Sequence, residues 1–429
     1  MGQGVLTDVL SRQDGVLRCE AVALPQVAAA VGTPTYVYSS AAVRDQYRAL
    51  DGALSAVPHR IHYSVKANGN LALLRLLQTL GAGVDIVSGG ELFRARLAGF
   101  AGPDVVFSGV GKTVDEIRQA LRAGVRLLNI ESEAELAVGA DEAAQLGLVA
   151  PIALRVNPEV DVSSPHAYIR TGERGTKFGI GYNEARAVAA RAARLPSVRL
   201  EGVDMHLGSQ IAGMQPFVSG IGRLVALYHH LTAEGCHTIR YLDIGGGLAV
   251  EYEDEEPTNP SEFAAVVVRA VAPTGLTVLL EPGRFLVGNA GVLLTRVLYV
   301  KETGGKTYVI TDAGMNDLLR PSHYGAYHGI EPVVARPANG STPVDVVGPV
   351  CESGDFLAQD RVLAPVSAGD LLVVRSVGAY GYAMASNYNT RPRPAEVLVD
   401  GGRFAVVTTR ETYGDLVRQE QSSLVWRDG

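Results

Sequence analysis

From about residue 59 onward the chain alternates between two hydrophobic patterns. Short, near-continuous apolar runs stand at HRIHYSVKA (59–67), GVDIVS (83–88), DVVFSG (104–109), RLLNIES (126–132), PIALRVNP (151–158), LEGVDMHLGSQ (200–210), RYLDIGGG (240–247) and TVLLEPG (277–283). Between them lie LALLRLLQTLGA, ELFRARLAGF, TVDEIRQALRAG, EAELAVGADEAAQLG, NEARAVAARAARLP, FVSGIGRLVALYHHLTAEG and SEFAAVVVRAVAP, whose apolar residues recur three or four apart. The first pattern predicts parallel strands covered on both faces, and the second predicts amphipathic helices with one face on a sheet. Eight strands separated by seven helices predict a closed (β/α)8 barrel. An open doubly wound sheet is the competing architecture, and eight regular units favour closure.

After about residue 285 the helical periodicity stops. VLLTRVLYVKE, KTYVITDA, PVDVVGPV, DLLVVRSVGA, PAEVLVDG and RFAVVTT predict a β-rich second domain, a barrel or a sandwich. Near the N-terminus GVLRCEAVAL is strand-like but too short to fold alone, so it is expected to complete that β-domain. The expected organisation is therefore N-terminal strands over 1–35, an α/β barrel over 36–284 and the β-domain over 285–429.

Composition narrows the function classes. Of 429 residues 47% are hydrophobic, enough for a large core, which excludes a disordered chain. Lys plus Arg is 38 against 45 Asp plus Glu, a net charge of −7 without a clustered basic face. That balance argues against nucleic acid or an anionic membrane as partner. No run of about 18 apolar residues predicts a membrane span. MGQGVLTDVL has neither the basic and apolar regions of a secretory leader nor, with Leu6, the residue a myristoylation signal wants. Cys19, Cys236 and Cys351 are widely spaced without a CxxC, so neither a disulfide framework nor a metal site is expected. A reducing cytoplasm fits this cysteine usage.

In a barrel, chemistry gathers at the C-terminal ends of the strands. Those ends carry Lys66, Asp85, Arg155, His206 with Ser209, Gly245-Gly246-Gly247, and Glu281-Pro282-Gly283-Arg284. One such residue alone is often structural; polar or glycine groups from six strands are not so easily explained. Lys66 could snorkel to solvent. In SVKAN, neighbouring apolar groups and cations are expected to lower its pKa, as a Schiff-base lysine needs. The three glycines are either a tight turn or a loop whose bare N–H groups approach a phosphate. GVGKT (109–113) imitates a nucleotide-binding loop, but Val106 stands where its first glycine belongs. The acidic run EYEDEEP (251–257) reads as a solvated turn. An amine, a phosphate loop, a ring-stacking histidine and an acid together are what pyridoxal phosphate (PLP) requires.

On YSVKAN, DIVSGGEL, VFSGVGKT, RVNPEV, TKFGI, HLGSQI, DIGGGL, EPGR, DAGMNDLLRP, CESGD and GAYGYAMASNYN, the chain resembles the fold-type III PLP-dependent decarboxylases. Within them it is most similar to those that act on meso-2,6-diaminopimelate. The resemblance runs from residue 32 to 401 and implies a (β/α)8 barrel with a C-terminal β-domain, working as a homodimer with shared active sites. It implies that Lys66 and Cys351 are catalytic, Lys66 holding PLP and Cys351 returning a proton after carbon dioxide leaves. It places Asp85, His206, Ser209, Gly245, Gly246, Gly247, Glu281, Gly283, Arg284 and Tyr380 around the cofactor, with Glu281 on its ring nitrogen. Glu91 and Arg155 match positions behind these. Arg284, Arg320, Tyr324, Glu352 and Tyr380 are implied to meet the substrate. Neither Arg320 nor Tyr324 stands out by itself, since RPSHYGAYH has the composition of a surface turn.

The implied activity is decarboxylation of meso-2,6-diaminopimelate to L-lysine. The loop before KFGI departs from the family in Arg170 and in its histidine spacing. It leaves open decarboxylation of a related amino acid, including one tethered to a carrier protein in secondary metabolism.

Overall fold

The computed structural model describes residues 9–160, 172, 175–337, 339–420 and 425–427. It divides into two compact units. The chain opens in the second of these, Val9–Ser39, Gly291–Val377 and Met384–Gly429. Strands β1 (Leu10–Gln13), β2 (Val16–Cys19) and β3 (Val22–Ala23) form a small antiparallel sheet, followed by helix α1 (Leu24–Val31) and strand β4 (Thr35–Ser39). The N-terminal segment thus contains a helix that its strand-like pattern hides, because LPQVAAAV is too short to display a helical period.

The first unit holds Ser40–Ala290 and Gly378–Ala383. Its strands are β5 (His59–Ser64), β6 (Gly83–Ile86), β7 (Val105–Phe107), β8 (Leu127–Ile130), β9 (Ala150–Asn157), the short β10 (Ile180–Gly181), β11 (Val198–Asp204), β12 (Tyr241–Asp243) and β13 (Thr277–Leu280). All pair in parallel, β13 returns to β5, and β8 to β9 completes the ring, so the barrel is closed. Each expected strand forms, all but β9 shorter than the apolar run because the last residues turn out toward the site. Val106, Leu127, Ala153 and Leu279 pack together inside with no exposure.

Helices α2 (Ser40–Ala53), α3 (Leu71–Thr79), α4 (Gly89–Ala98), α5 (Val114–Ala123), α6 (Glu133–Leu146), α7 (Ala185–Ala192), α8 (Gln215–Ala233) and α9 (Pro260–Val271) are followed by the one-turn α10 (Arg284–Val287). Helix α5 shows how its bounds are written locally. The Thr113 hydroxyl accepts from the Glu116 N–H while Glu116 accepts from the Thr113 N–H at 2.9 Å, a reciprocal cap. No described helix is long and apolar enough to cross a membrane.

The rest of the second unit is β14 (Gly291–Thr303), β15 (Lys306–Thr311), helix α11 (Arg320–Tyr324), β16 (Ile330–Pro332), β17 (Thr342–Val347), β18 (Phe356–Leu363), β19 (Leu371–Val374), β20 (Ala395–Asp400), β21 (Arg403–Thr408) and helix α12 (Tyr413–Val417). Its sheet runs β18-β17-β15-β14-β4-β20-β21, with β19 also on β14. The N-terminal segment enters this sheet through β4, out of GTPTYVYS, between β14 and β20.

Candidate active site

Lys66 sits in a single helical turn, Val65–Ala67, directly after β5. Its Nζ donates to Asp85 Oδ2 at 2.6 Å, and the ammonium is half-buried while Asp85 is fully buried at the end of β6. The Ser64 Oγ stands 2.8 Å from the same carboxylate oxygen. Burial alone would lower the pKa of Lys66, but the Asp85 and Glu281 carboxylates outweigh it and leave the ammonium above its ordinary range. This corrects the expectation of a lowered pKa: its neighbours are anions, not cations. Glu91, on the first turn of α4, accepts from the Val87 N–H at 2.7 Å, and burial pushes its carboxyl up to about 7.

Glu281, one residue beyond β13, is 3% exposed. It accepts from Ser108 Oγ at 3.0 Å and lies 3.4 Å from Asn129 Nδ2. Burial first, then Asp243, Asp85 and Asp204, push its carboxyl well above the usual range. The EPGR turn closes onto the lysine strand, with Ser64 N–H donating to the Pro282 carbonyl at 3.1 Å.

The three glycines are needed for two reasons. Gly245 and Gly247 have φ of 67° and 96°, left-handed values that a side chain disfavours. A Cβ would also stand 2.5 Å from the Met205 carbonyl at Gly245 and 2.6 Å from Ile211 Cδ1 at Gly247. The Gly246 N–H donates to His206 Nδ1 at 3.1 Å, so that nitrogen carries no proton. Burial, with Arg155 and Lys66 nearby, holds the ring well below its usual pKa and therefore neutral.

Arg284 opens α10. Its guanidinium donates to Ser209 Oγ at 3.0 Å and to the Tyr252 hydroxyl at 2.6 Å, and lies 4.9 Å from the centre of the Tyr380 ring. Tyr380 holds φ at 58° and donates its N–H to the Ala67 carbonyl at 2.8 Å. Lys66, His206, Ser209, Gly247, Gly283, Arg284 and Tyr380 line one cleft. The N–H groups of Gly247 and Gly283, both on that cleft, make no hydrogen bond to a described residue. Two unpaired backbone donors beside an arginine suit a phosphate, a lysine amine suits an aldehyde, and a buried acid suits a ring nitrogen. The residues therefore fit PLP.

The remaining expected residues belong to the second unit. Arg320, 7% exposed on α11, meets His328 Nε2 at 3.0 Å. Because His328 Nδ1 faces the Arg375 carbonyl at 2.8 Å, the Nε2 is left as acceptor. Arg320 is thus no surface-turn residue. Tyr324, half-buried, ends the same helix. Cys351 is exposed rather than a core thiol, and its N–H donates to Asn389 Oδ1 at 2.9 Å. The Tyr388 hydroxyl lies beside the Glu352 carboxylate, which raises its pKa.

Several participants escaped the reading of the sequence. Tyr252 lies in the acidic run taken for a solvated turn, where a lone tyrosine among charges was the available signal. Tyr388 and Asn389 close the motif GAYGYAMASNYN but were given no role, and His328 had no signal. GVGKT proves structural: Lys112 Nζ donates to the carbonyls of Gly109 and Asn129 at 2.8 and 2.7 Å and to Glu135 at 2.6 Å, with its side chain 1% exposed. Arg155 is likewise internal, bound to Glu131 at 2.7 Å. Arg170 and its neighbouring histidine lie outside the described residues.

A family model described as pyridoxal-dependent decarboxylase, pyridoxal binding domain, matches residues 40–288. The diaminopimelate decarboxylase of Pseudomonas aeruginosa is 50% identical over 413 residues, 96% of this chain and 99% of that protein. That of Vibrio cholerae is 48% identical over 406 residues, 94% of this chain and 96% of its own. The crystal structure of the Helicobacter pylori diaminopimelate decarboxylase complexed with L-lysine aligns with a TM-score of 0.89 at 38% identity, covering 92% of this chain and 99% of that one. The M. jannaschii enzyme in co-complex with L-lysine gives 0.91 at 35% identity, covering 97% and 98%.

Proposed function

The chain belongs to the pyridoxal-dependent decarboxylases and, within them, to the diaminopimelate decarboxylases; on that premise we propose that it removes carbon dioxide from the D-configured centre of meso-2,6-diaminopimelate, giving L-lysine. The observation that carries the cofactor chemistry is the convergence of Lys66, Glu281 and Arg284 on one cleft with unpaired backbone donors. When bound, PLP supplies a protonated ring that accepts the electron pair left behind by departing carbon dioxide.

The chain's own residues then have distinct tasks. Lys66 would offer the amine that holds the aldehyde, its ammonium held by Asp85 at 2.6 Å. Glu281 would take the ring nitrogen. Ser209, Arg284 and the N–H groups of Gly247 and Gly283 would hold the phosphate, with Gly245 and Gly246 shaping that turn and Tyr380 packed on the guanidinium. Neutral His206, its ring held by the Gly246 N–H, would stack against the cofactor. Cys351 returns a proton to the substrate carbon, Glu352 meets the substrate ammonium, and Arg320 with Tyr324 binds the distal carboxylate together with Arg284. The working unit is a homodimer in which a second copy supplies Cys351 and Glu352.

Incubation with meso-diaminopimelate and a panel of other amino acids, with carbon dioxide and product measured, tests the reading. Release from meso-diaminopimelate far above every other substrate is expected. Preference for ornithine, lysine or a carrier-tethered amino acid overturns it.

A further inference from the structure

Arg320 opens the five-residue helix α11, after which the chain turns through Gly325 at φ 60° and reaches His328 just ahead of β16. His328 is 0% exposed. Its ring has a different neighbour on each nitrogen: Arg320 Nη1 stands 3.0 Å from Nε2, and the Arg375 carbonyl stands 2.8 Å from Nδ1. A carbonyl only accepts and a guanidinium only donates. The two contacts together therefore require the neutral ring with its proton on Nδ1, and Nε2 turns its lone pair to Arg320.

The ring is itself anchored to the sheet. The Arg375 N–H donates to the Gly329 carbonyl at 2.8 Å, and β16 pairs with β19, Ile330 opposite Val374. β19 in turn lies on β14. From β18, Arg361 Nη1 donates to the His328 carbonyl at 2.9 Å, and its guanidinium stacks 3.8 Å from the centre of the Tyr327 ring. Arg375 is fixed as well, its Nε donating to Glu331 at 2.6 Å, and the same carboxylate takes Arg12 Nη2 at 2.7 Å. Strands β16, β18 and β19 thus set the direction in which Nε2 points.

We propose that His328 is a positioning residue for carboxylate recognition, holding the Arg320 guanidinium by a neutral acceptor in the geometry that takes the substrate's distal carboxylate. The proposal rests on the assignment of Arg320 to that carboxylate. The kind of acceptor matters. A carboxylate in the place of the ring would pair with the guanidinium and cancel its charge before the substrate arrived, whereas a neutral lone pair aims the cation and leaves its charge intact. An arginine held beforehand also loses less side-chain freedom when an anion binds.

Two variants separate the two sides of the ring. His328→Asn can still donate to the Arg375 carbonyl but has nothing at the Nε2 position, whereas His328→Gln brings an amide oxygen there for Arg320. In the holoenzyme, His328→Asn should raise KM for meso-diaminopimelate about tenfold, with kcat and PLP content kept near wild type. His328→Gln should stay within about threefold of the wild-type KM. A ring that only anchors its own loop predicts the reverse order, with Gln the worse of the two. That order, or an unmoved KM in His328→Asn, overturns the proposal. Should His328→Asn not fold, His328→Glu takes its place: pairing with Arg320 must raise KM above that of His328→Gln, and equal values are equally fatal. Arg320→Ala, run alongside, tests the underlying assignment. An unmoved KM there removes Arg320 from the substrate, an outcome distinct from one in which Arg320→Ala raises KM and His328→Asn does not.

Discussion

Lys66 Nζ donates to Asp85 Oδ2 across 2.6 Å, and this pair, against the pull of burial, keeps the lysine protonated in the cofactor-free chain. Asp85→Asn leaves burial as the main influence, so the amine should lose its proton at lower pH. The midpoint for trapping PLP on the protein with borohydride should fall by about one to three pH units. Intact-mass measurement across a pH series reads this. Lys66→Ala should give no adduct, and an unmoved midpoint in Asp85→Asn would show that another group governs the amine.

Arg320 and Arg284 are assigned to a distal carboxylate. Truncating either leaves that charge poorly compensated, at a cost of about 2–5 kcal/mol, or roughly thirtyfold and more in affinity. Arg320→Ala should raise KM for meso-diaminopimelate on that scale while leaving PLP content unchanged. Arg284→Ala, beside Ser209, should lose PLP as well. Unaltered KM in Arg320→Ala removes that residue from the substrate site.

Lys112 spends all three ammonium protons on internal acceptors. Lys112→Ala strands the nearly buried Glu135 and should destabilise the fold by about 3–5 kcal/mol. Chemical denaturation measures it. A variant as stable as wild type would show that the lysine is no internal peg.

The raised acids set a pH trend. Asp243 and Glu91 stand at about 7, as does Asp317, and Asp204 and Glu281 are raised as well, burial being the first cause in each case. A carboxyl whose folded pKa exceeds its unfolded value binds more protons when folded, so stability falls as pH rises through that interval. The cofactor-free protein should therefore lose stability between about pH 4 and 7, and Asp243→Asn should show a shallower loss. Urea midpoints over a pH series give both slopes; parallel slopes contradict the assignment.

Shared sites are tested by complementation. Inactive Lys66→Ala and Cys351→Ala subunits, exchanged at random, should recover roughly a quarter of wild-type activity, since half the dimers then carry one intact site. No recovery despite verified exchange means that each chain completes its own site.

The barrel was legible because its strands are apolar on both faces and its helices keep a clean period. β18 was not: Gln359, Asp360 and Arg361 break its apolar run, which an edge strand, paired among the described residues with β17 alone, tolerates. Within the site, motif residues such as Lys66, Glu281 and Arg284 could be named in advance, since special chemistry at a strand end is visible in one dimension. Their electrostatics could not. Whether Lys66 faces cations or Asp85, and whether Asp243 faces water or Glu281, depends on which strands the closed ring sets side by side.

Gly378–Ala383 returns to the unit that the chain leaves at Ala290, where Asn68 Nδ2 donates to the Gly378 carbonyl at 3.1 Å and Tyr380 bonds Ala67. The barrel is therefore not a portable module. A fragment ending at Ala290 would keep the lysine, the acids and the glycine turn yet leave Tyr380 behind, and a gene fusion that grafts a foreign tail there inherits an incomplete cleft. Recombination between relatives can exchange the segment from 291 to 377 only if its replacement brings the chain back to Ala67 and Asn68, which ties both units into one heritable block.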